Sequence, residues 1–185
     1  MNLEEKFVRN ITKYEGKIFT MLVDEVLCPN GKSATREIVS HRGGVCIAPI
    51  TQDGQLIFIR QYRYAYKKVL LELPAGKLEA GENPLESGKR ELREETGAVA
   101  GIFESLGEFY PTCGYCNEII HLYYAADLTF SHQDLDEDEF IETIKIPFDK
   151  ALDMVMSGEI KDGKTIAAVL KLGELSRRGL LNGNL

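Results

Sequence analysis

The sequence predicts an α+β chain: helices flank a mixed β-sheet in an αβα sandwich, preceded by a small antiparallel β appendage. Three observations point there. Strand-like apolar runs recur along the chain with only a few helical stretches between them. Arg42-Gly43-Gly44 breaks the pattern and separates an appendage at 1–42 from a main domain at 43–185. One well-signposted helix lies between two groups of strands, within GKLEAGENPLESGKRELREETGA, residues 76–98.

In the appendage, Lys17 to Leu27 alternates weakly, Pro29-Asn30-Gly31-Lys32 supplies a turn, and Ala34 to His41 returns as a partner strand. Val45 to Ile50 is a short apolar run suited to a strand buried on both faces. Gln52-Asp53-Gly54 is a hairpin turn leading to a strand from Leu56 to Tyr62. Val69 to Leu73 is another short strand, after which Pro74-Ala75-Gly76 leads onward. In the helix, Asn83 is the N-cap, Pro84 takes the first position, Glu86 completes a capping box and Gly97 is the stop. Leu85, Gly88 and Leu92 form its packing stripe. Strands at Phe103 to Phe109, Ile119 to Ala126 and Ile141 to Ile146 follow, the last after an acidic loop at 134–139. Helices at about Phe148 to Met156 and Thr165 to Arg177 close the chain.

Composition bounds the function. The 185 residues are 44% hydrophobic and 28% charged, ordinary for a soluble globular protein. A net charge of −7 and a pI near 5.1 argue against a nucleic-acid groove, whose footprint is basic. An anionic small molecule must then be met by local arginine, lysine or metal. No apolar run reaches the length of a membrane span, and MNLEEKFVRN has no signal-peptide core, so a cytoplasmic protein is expected. Cys113-Gly-Tyr-Cys116 lacks the second ligand pair of a zinc site and does not open a helix, so it reads as a loop with two free thiols.

The chemistry concentrates in the central helix. Glu91, Glu94 and Glu95 stand at i, i+3 and i+4, side by side on one face. Like charges so placed destabilise a helix by about a few tenths of a kcal/mol per pair, and an oxygen-seeking divalent cation would justify them. Arg90 can reach Glu94 at i+4 and orient it. The competing interpretation is a solvated acidic face.

The spacing from Gly76 through Glu82 to Arg90-Glu91-Leu92-Arg93-Glu94-Glu95-Thr96-Gly97-Ala98 resembles the signature of the Nudix hydrolases, a loop-helix-loop that holds magnesium against a diphosphate. Ala98 departs from the larger aliphatic residue usual there, which touches packing more than chemistry. Glu72-Leu-Pro-Ala-Gly76, Arg60-Gln-Tyr-Arg63, the loop from Tyr110 to Glu118 and Asp136-Glu-Asp-Glu139-Phe-Ile-Glu142 resemble motifs of the ADP-ribose pyrophosphatase branch, although Pro111 comes two residues early.

The resemblance implies Mg²⁺, with Mn²⁺ as a substitute, held by Glu91, Glu95, Glu94, Glu139 and the backbone carbonyl of Ala75. It further implies an acidic loop closing over substrate, with Glu137 as general base and Glu139 as its rival for that role. Arg60 and Arg63 are phosphate contacts or plain strand-surface charges, and Glu72 contacts substrate or pairs with one of those arginines. Arg36 and Glu37 are expected at the base, from the partner subunit of a homodimer joined through the N-terminal strands. Tyr62, Tyr64 and Tyr66 offer stacking surfaces, with core or interface positions as the alternative. The implied reaction is hydrolysis of ADP-ribose to AMP and ribose 5-phosphate. The alternatives are another nucleoside diphosphate sugar, such as GDP-mannose or ADP-glucose, or a sensor that binds without cleaving.

Overall fold

The computed structural model describes residues 2–135, 137 and 139–181. Asp136 and Asp138 of the acidic loop lie outside them. The chain divides into two compact units, residues 1–43 with 110–119, and residues 44–109 with 120–185.

The first unit is an antiparallel sheet, β1 (Lys6–Glu15), β2 (Phe19–Leu27) and β3 (Ser33–His41), in that order. The sequence pattern does not announce β1. All ten of its residues are exposed, so no buried face imposes an alternating pattern on KFVRNITKYE. The loop at 110–119 belongs to this unit: Val39 N–H donates to the Tyr115 carbonyl at 2.7 Å, and the Asn117 N–H to the Val39 carbonyl at 3.1 Å. Cys113 and Cys116 are free thiols.

The second unit is the expected αβα sandwich. A four-stranded sheet runs β7 (Ala75–Lys77), β4 (Gly44–Pro49), β9 (Ile120–Phe130), β8 (Ala98–Phe109). It is mixed, because β4 and β9 are parallel while the other pairs are antiparallel. A three-stranded antiparallel sheet runs β10 (Ile141–Pro147), β5 (Gln55–Arg63), β6 (Lys68–Glu72). β4 is buried at every residue, and its alternation sorts two cores. Val45 and Ile47 meet Leu92 of α1 (Pro84–Thr96), with Tyr123 and Ala125 of β9. Cys46 and Ala48 point the other way, into a core shared with α2 (Phe148–Met156) and α3 (Gly163–Arg177). A strand covered on both faces explains the unbroken apolar run at its position.

Strands β8 and β9 extend beyond the expected ends, pairing from Ala98–Phe130 to Phe109–Ile120 with a bulge between Ser105 and Gly107. Ala98 fits its place, fully buried against α1. Among the described residues, no helix is long and apolar enough to cross a membrane.

Candidate metal and diphosphate site

α1 begins and ends where its sequence signals put it. Asn83 Oδ1 accepts from Leu85 N–H at 2.9 Å, as an N-cap should. Pro84 opens the helix, and Gly97 closes it in the left-handed region at φ 70°, where glycine is favoured. The capping box is not formed as expected, because Glu86 pairs instead with Lys89 at 3.0 Å. The packing stripe also differs. Leu85 is 37% exposed, and the buried face consists of Ser87, Gly88, Glu91, Leu92 and Glu95. Two of the three carboxylates, Glu91 and Glu95, are therefore turned inward as part of the packing face itself.

That burial dominates their electrostatics. Glu95 is 2% exposed. Desolvation pushes its carboxyl up to about 8, since burial disfavours the charged form. The Ala75 N–H donates to Glu95 Oε2 at 2.9 Å and opposes the shift, as does the Arg63 charge, while Glu91 and Glu139 add to it. Burial likewise raises Glu91, against the pull of Arg90 and with the push of Glu94 and Glu139. Glu91 thus feels the negative charges of Glu94 and Glu139, and Glu95 those of Glu91 and Glu139 together with the positive charge of Arg63.

Arg90 organises the rim of this cluster. It binds Glu82 at 3.0 and 3.2 Å, Glu94 at 2.8 Å and Glu91 at 2.9 Å. Its guanidinium holds the Glu82 carboxyl down to about 2. Opposite, β7 passes so near that a Cβ on Gly76 would overlap the Glu91 carboxylate. A glycine at 76 is what lets the helix carboxylates lie against the Ala75 backbone.

The donor chemistry fits a hard divalent cation. Among the described residues, no three of His, Cys, Asp and Glu form a ready-made cage. Mg²⁺ does not require one, because it is commonly held by one or two carboxylates with waters and substrate phosphates completing the shell. Two buried carboxylates beside a strand backbone satisfy that pattern.

The two arginines of β5 are separated by strand alternation. Arg63 shares a face with Glu72, contacting it through Nε and Nη2, both at 2.7 Å. Glu72 is 1% exposed and is bound also by Lys164, so the pairing alternative describes it better than an exposed substrate contact. Arg60 lies on the other face and pairs with Glu142 at 2.8 Å. It borders a cleft of about 480 Å³ formed with Tyr62, Val69, Phe140 and Glu139. Glu139 belongs both to this cleft and to the electrostatics of the helix carboxylates. Glu137 is exposed on the turn before it.

Tyr62, Tyr64 and Tyr66 are 53%, 76% and 70% exposed, so none is a core residue. Arg36 and Glu37 sit on β3 of the first unit, Arg36 bound to Glu5 with Nε at 2.9 Å.

Sequence reasoning missed Asp162, Lys164 and Thr165. Asp162 caps α3 by accepting from the Thr165 N–H at 3.0 Å and the Thr165 hydroxyl at 2.6 Å. It also binds Lys164 at 2.9 Å. The signal existed as an acid three residues before a threonine at a helix start.

The family model described as NUDIX domain matches residues 40–169. The ADP-ribose pyrophosphatase of Bacillus subtilis strain 168 is 39% identical over 170 residues, which are 91% of this chain and 92% of that protein. The methanol dehydrogenase activator of Bacillus methanolicus is 40% identical over 168 residues, 90% of this chain and 91% of that protein. A crystal structure of an ADP compounds hydrolase superposes with a TM-score of 0.86 at 24% identity, covering 98% of this chain and all of that one, a likeness of fold.

Proposed function

Because the chain belongs to the NUDIX family, we propose that it hydrolyses the diphosphate of ADP-ribose with Mg²⁺, giving AMP and ribose 5-phosphate. The observation that carries this reading is the pair Glu91 and Glu95, buried with raised carboxyls beside the Ala75 backbone and faced by Glu139. A packing role alone gives no reason to bury two like charges there. The flanking motifs at 60–63, 72–76 and 136–142, and the named pyrophosphatase relative, support ADP-ribose as the substrate. The full set of helix carboxylates supports cleavage rather than sensing.

In this reading Glu91, Glu95, Glu94, Glu139 and the Ala75 carbonyl hold the cation, with Mn²⁺ able to replace it. Bound Mg²⁺ supplies charge neutralisation at the phosphate oxygens and polarises a water. Arg63 meets the diphosphate from β5, and Arg90 keeps Glu94 and Glu91 in place. The attacking water loses its proton to a carboxylate oxygen of the acidic loop. Its oxygen bonds to phosphorus as the bridging P–O bond breaks. Glu137 is assigned the proton and Glu139 the cation. Glu137→Gln should then lower kcat by about a thousandfold with an unchanged Mg²⁺ dependence, whereas Glu139→Gln should raise the Mg²⁺ needed. Reversed behaviour would exchange the two roles.

The same proposal includes a homodimer through the N-terminal sheet, with Arg36 and Glu37 reaching the partner's substrate. Phe7, Val8, Ile11 and Tyr14, all exposed on β1, support a covered surface there. The experiment is product formation with Mg²⁺ from ADP-ribose, ADP-glucose, GDP-mannose, NADH and 8-oxo-dGTP, with molar mass measured on the same preparation. ADP-ribose should lead in kcat/KM by about tenfold, a gap of about 1.4 kcal/mol. Leadership by another sugar nucleotide would replace the substrate, no turnover would favour a sensor, and a monomer's mass would sink the dimer.

A further inference from the structure

The N-terminal turn of α3 grips the strand segment that carries the site. Thr165 Oγ1 accepts from the Leu73 N–H at 2.9 Å. Lys164 and Arg63 both bind the Glu72 carboxylate: they share Oε2, and Arg63 takes Oε1 as well. Both ends of that bridge are shielded, since the Lys164 side chain is 13% exposed and that of Glu72 1%. Asp162 holds Lys164 and caps the helix at once. Further along the segment, Ile47 N–H donates to the Pro74 carbonyl at 2.9 Å, and Ala75 N–H donates to Glu95. Residues 72 to 75 are thus fixed one after another, beginning with a charge shared between two cations.

The sharing has an electrostatic consequence. Arg63 commits Nε and Nη2 to Glu72, and its charge is also felt at Glu95. With Lys164 present, two cations meet two carboxylates, Glu72 and Asp162, and the group is balanced. Without Lys164 both carboxylates would bear on Arg63 alone, and the group would turn a net negative charge toward an anion. A buried charge left with one partner fewer is strongly destabilised, which is why a cation is retained so deep in the fold.

We propose that Lys164 is a positioning residue for the reaction: by sharing the Glu72 carboxylate and offsetting Asp162, it keeps Arg63 electrostatically available to the anionic diphosphate. This rests on the reading of the site as a diphosphate hydrolase. Lys164 touches neither the substrate nor the helix carboxylates in this assignment and acts through Glu72 and Arg63.

The test is steady-state kinetics of Lys164→Met and of the double variant Lys164→Met with Glu72→Gln. Assays run well below each variant's Tm, on the panel substrate that the parent turns over fastest. Failure of ADP-ribose as substrate therefore changes the reference without touching this comparison. Lys164→Met should raise KM at least tenfold, with kcat and the Mg²⁺ dependence within threefold of the parent. Removing the Glu72 charge as well should bring KM back to within threefold of the parent, because Arg63 is then balanced by Asp162 alone and the net charge beside it returns to that of the parent. A fall in Tm with KM unmoved, or a double variant whose KM is no lower than the single's, overturns the proposal. If Lys164→Met cannot be purified folded, the double variant, which leaves no carboxylate short of a partner at position 72, decides alone: KM within threefold of the parent supports the proposal, and a tenfold rise overturns it.

Discussion

Glu95→Gln is expected to abolish turnover, by about a thousandfold or more, while leaving the metal-free protein at least as stable as the parent above pH ~8. The two halves have one origin. The Glu95 carboxyl is raised to about 8, chiefly because it is buried. A group whose folded-state pKa lies above its unfolded value favours the fold fully at low pH, below the ordinary carboxylate range. That advantage is lost as pH rises through the folded value. The metal-free parent should therefore lose stability between about pH 4.5 and 8, with a slope of up to about 1.4 kcal/mol for each pH unit. Glutamine keeps an oxygen for the Ala75 N–H and carries no charge, so the variant should show a flatter profile.

Mg²⁺ should reverse the loss in the parent and not in the variant, because the ion binds the deprotonated carboxylate and releases its proton. Melting curves at several pH values, in chelator and in excess Mg²⁺, check this directly. Near-normal turnover by Glu95→Gln would reject the metal role. A parent profile that rises with pH in chelator would reject the burial argument.

Gly76→Ala should be nearly as damaging to activity, at least a hundredfold in kcat/KM or about 2.7 kcal/mol, with a Tm within a few degrees of the parent. The added Cβ would occupy the space of the Glu91 carboxylate. What must move is the end of a side chain rather than a backbone, so the fold should tolerate the methyl group, and the displaced carboxylate should account for the lost rate. Activity and melting temperature measured on one preparation separate the outcomes. Unchanged kcat/KM would mean that Glu91 does not work from this position, and collapse of the fold would mean that β7 cannot yield.

The site and the second unit were legible to different degrees. The central helix was readable almost to the residue, because Asn83, Pro84 and Gly97 act through local backbone chemistry that needs no partner. The direction its carboxylates face was not. Periodicity assigns buried faces to apolar residues; Leu85 breaks that rule by being exposed, and Glu91 and Glu95 break it the other way, being buried for the sake of the site. β1 was invisible for the opposite reason: with every residue exposed, its strand character comes from pairing with β2 alone. Arg60 and Arg63 looked equivalent until their strand was paired, after which alternation sent them to different faces. Lys164 was hidden because its meaning lies in Glu72, 92 residues earlier, a distance no local pattern spans.

The parallel ladder between β4 and β9 bears on how the molecule is born. β4 leaves the ribosome early, followed by the hairpin, by α1 and by β8, yet its parallel neighbour is the last strand of that sheet to be made. Until β9 inserts between β4 and β8, the floor beneath α1 lacks Tyr123 and Ala125. α1 rests on β4, β7 and β8, all made before β9, so part of its seat exists while the sheet is still open. The rest of that floor closes only with a strand distant in sequence, and closing such contacts is the slow part of folding.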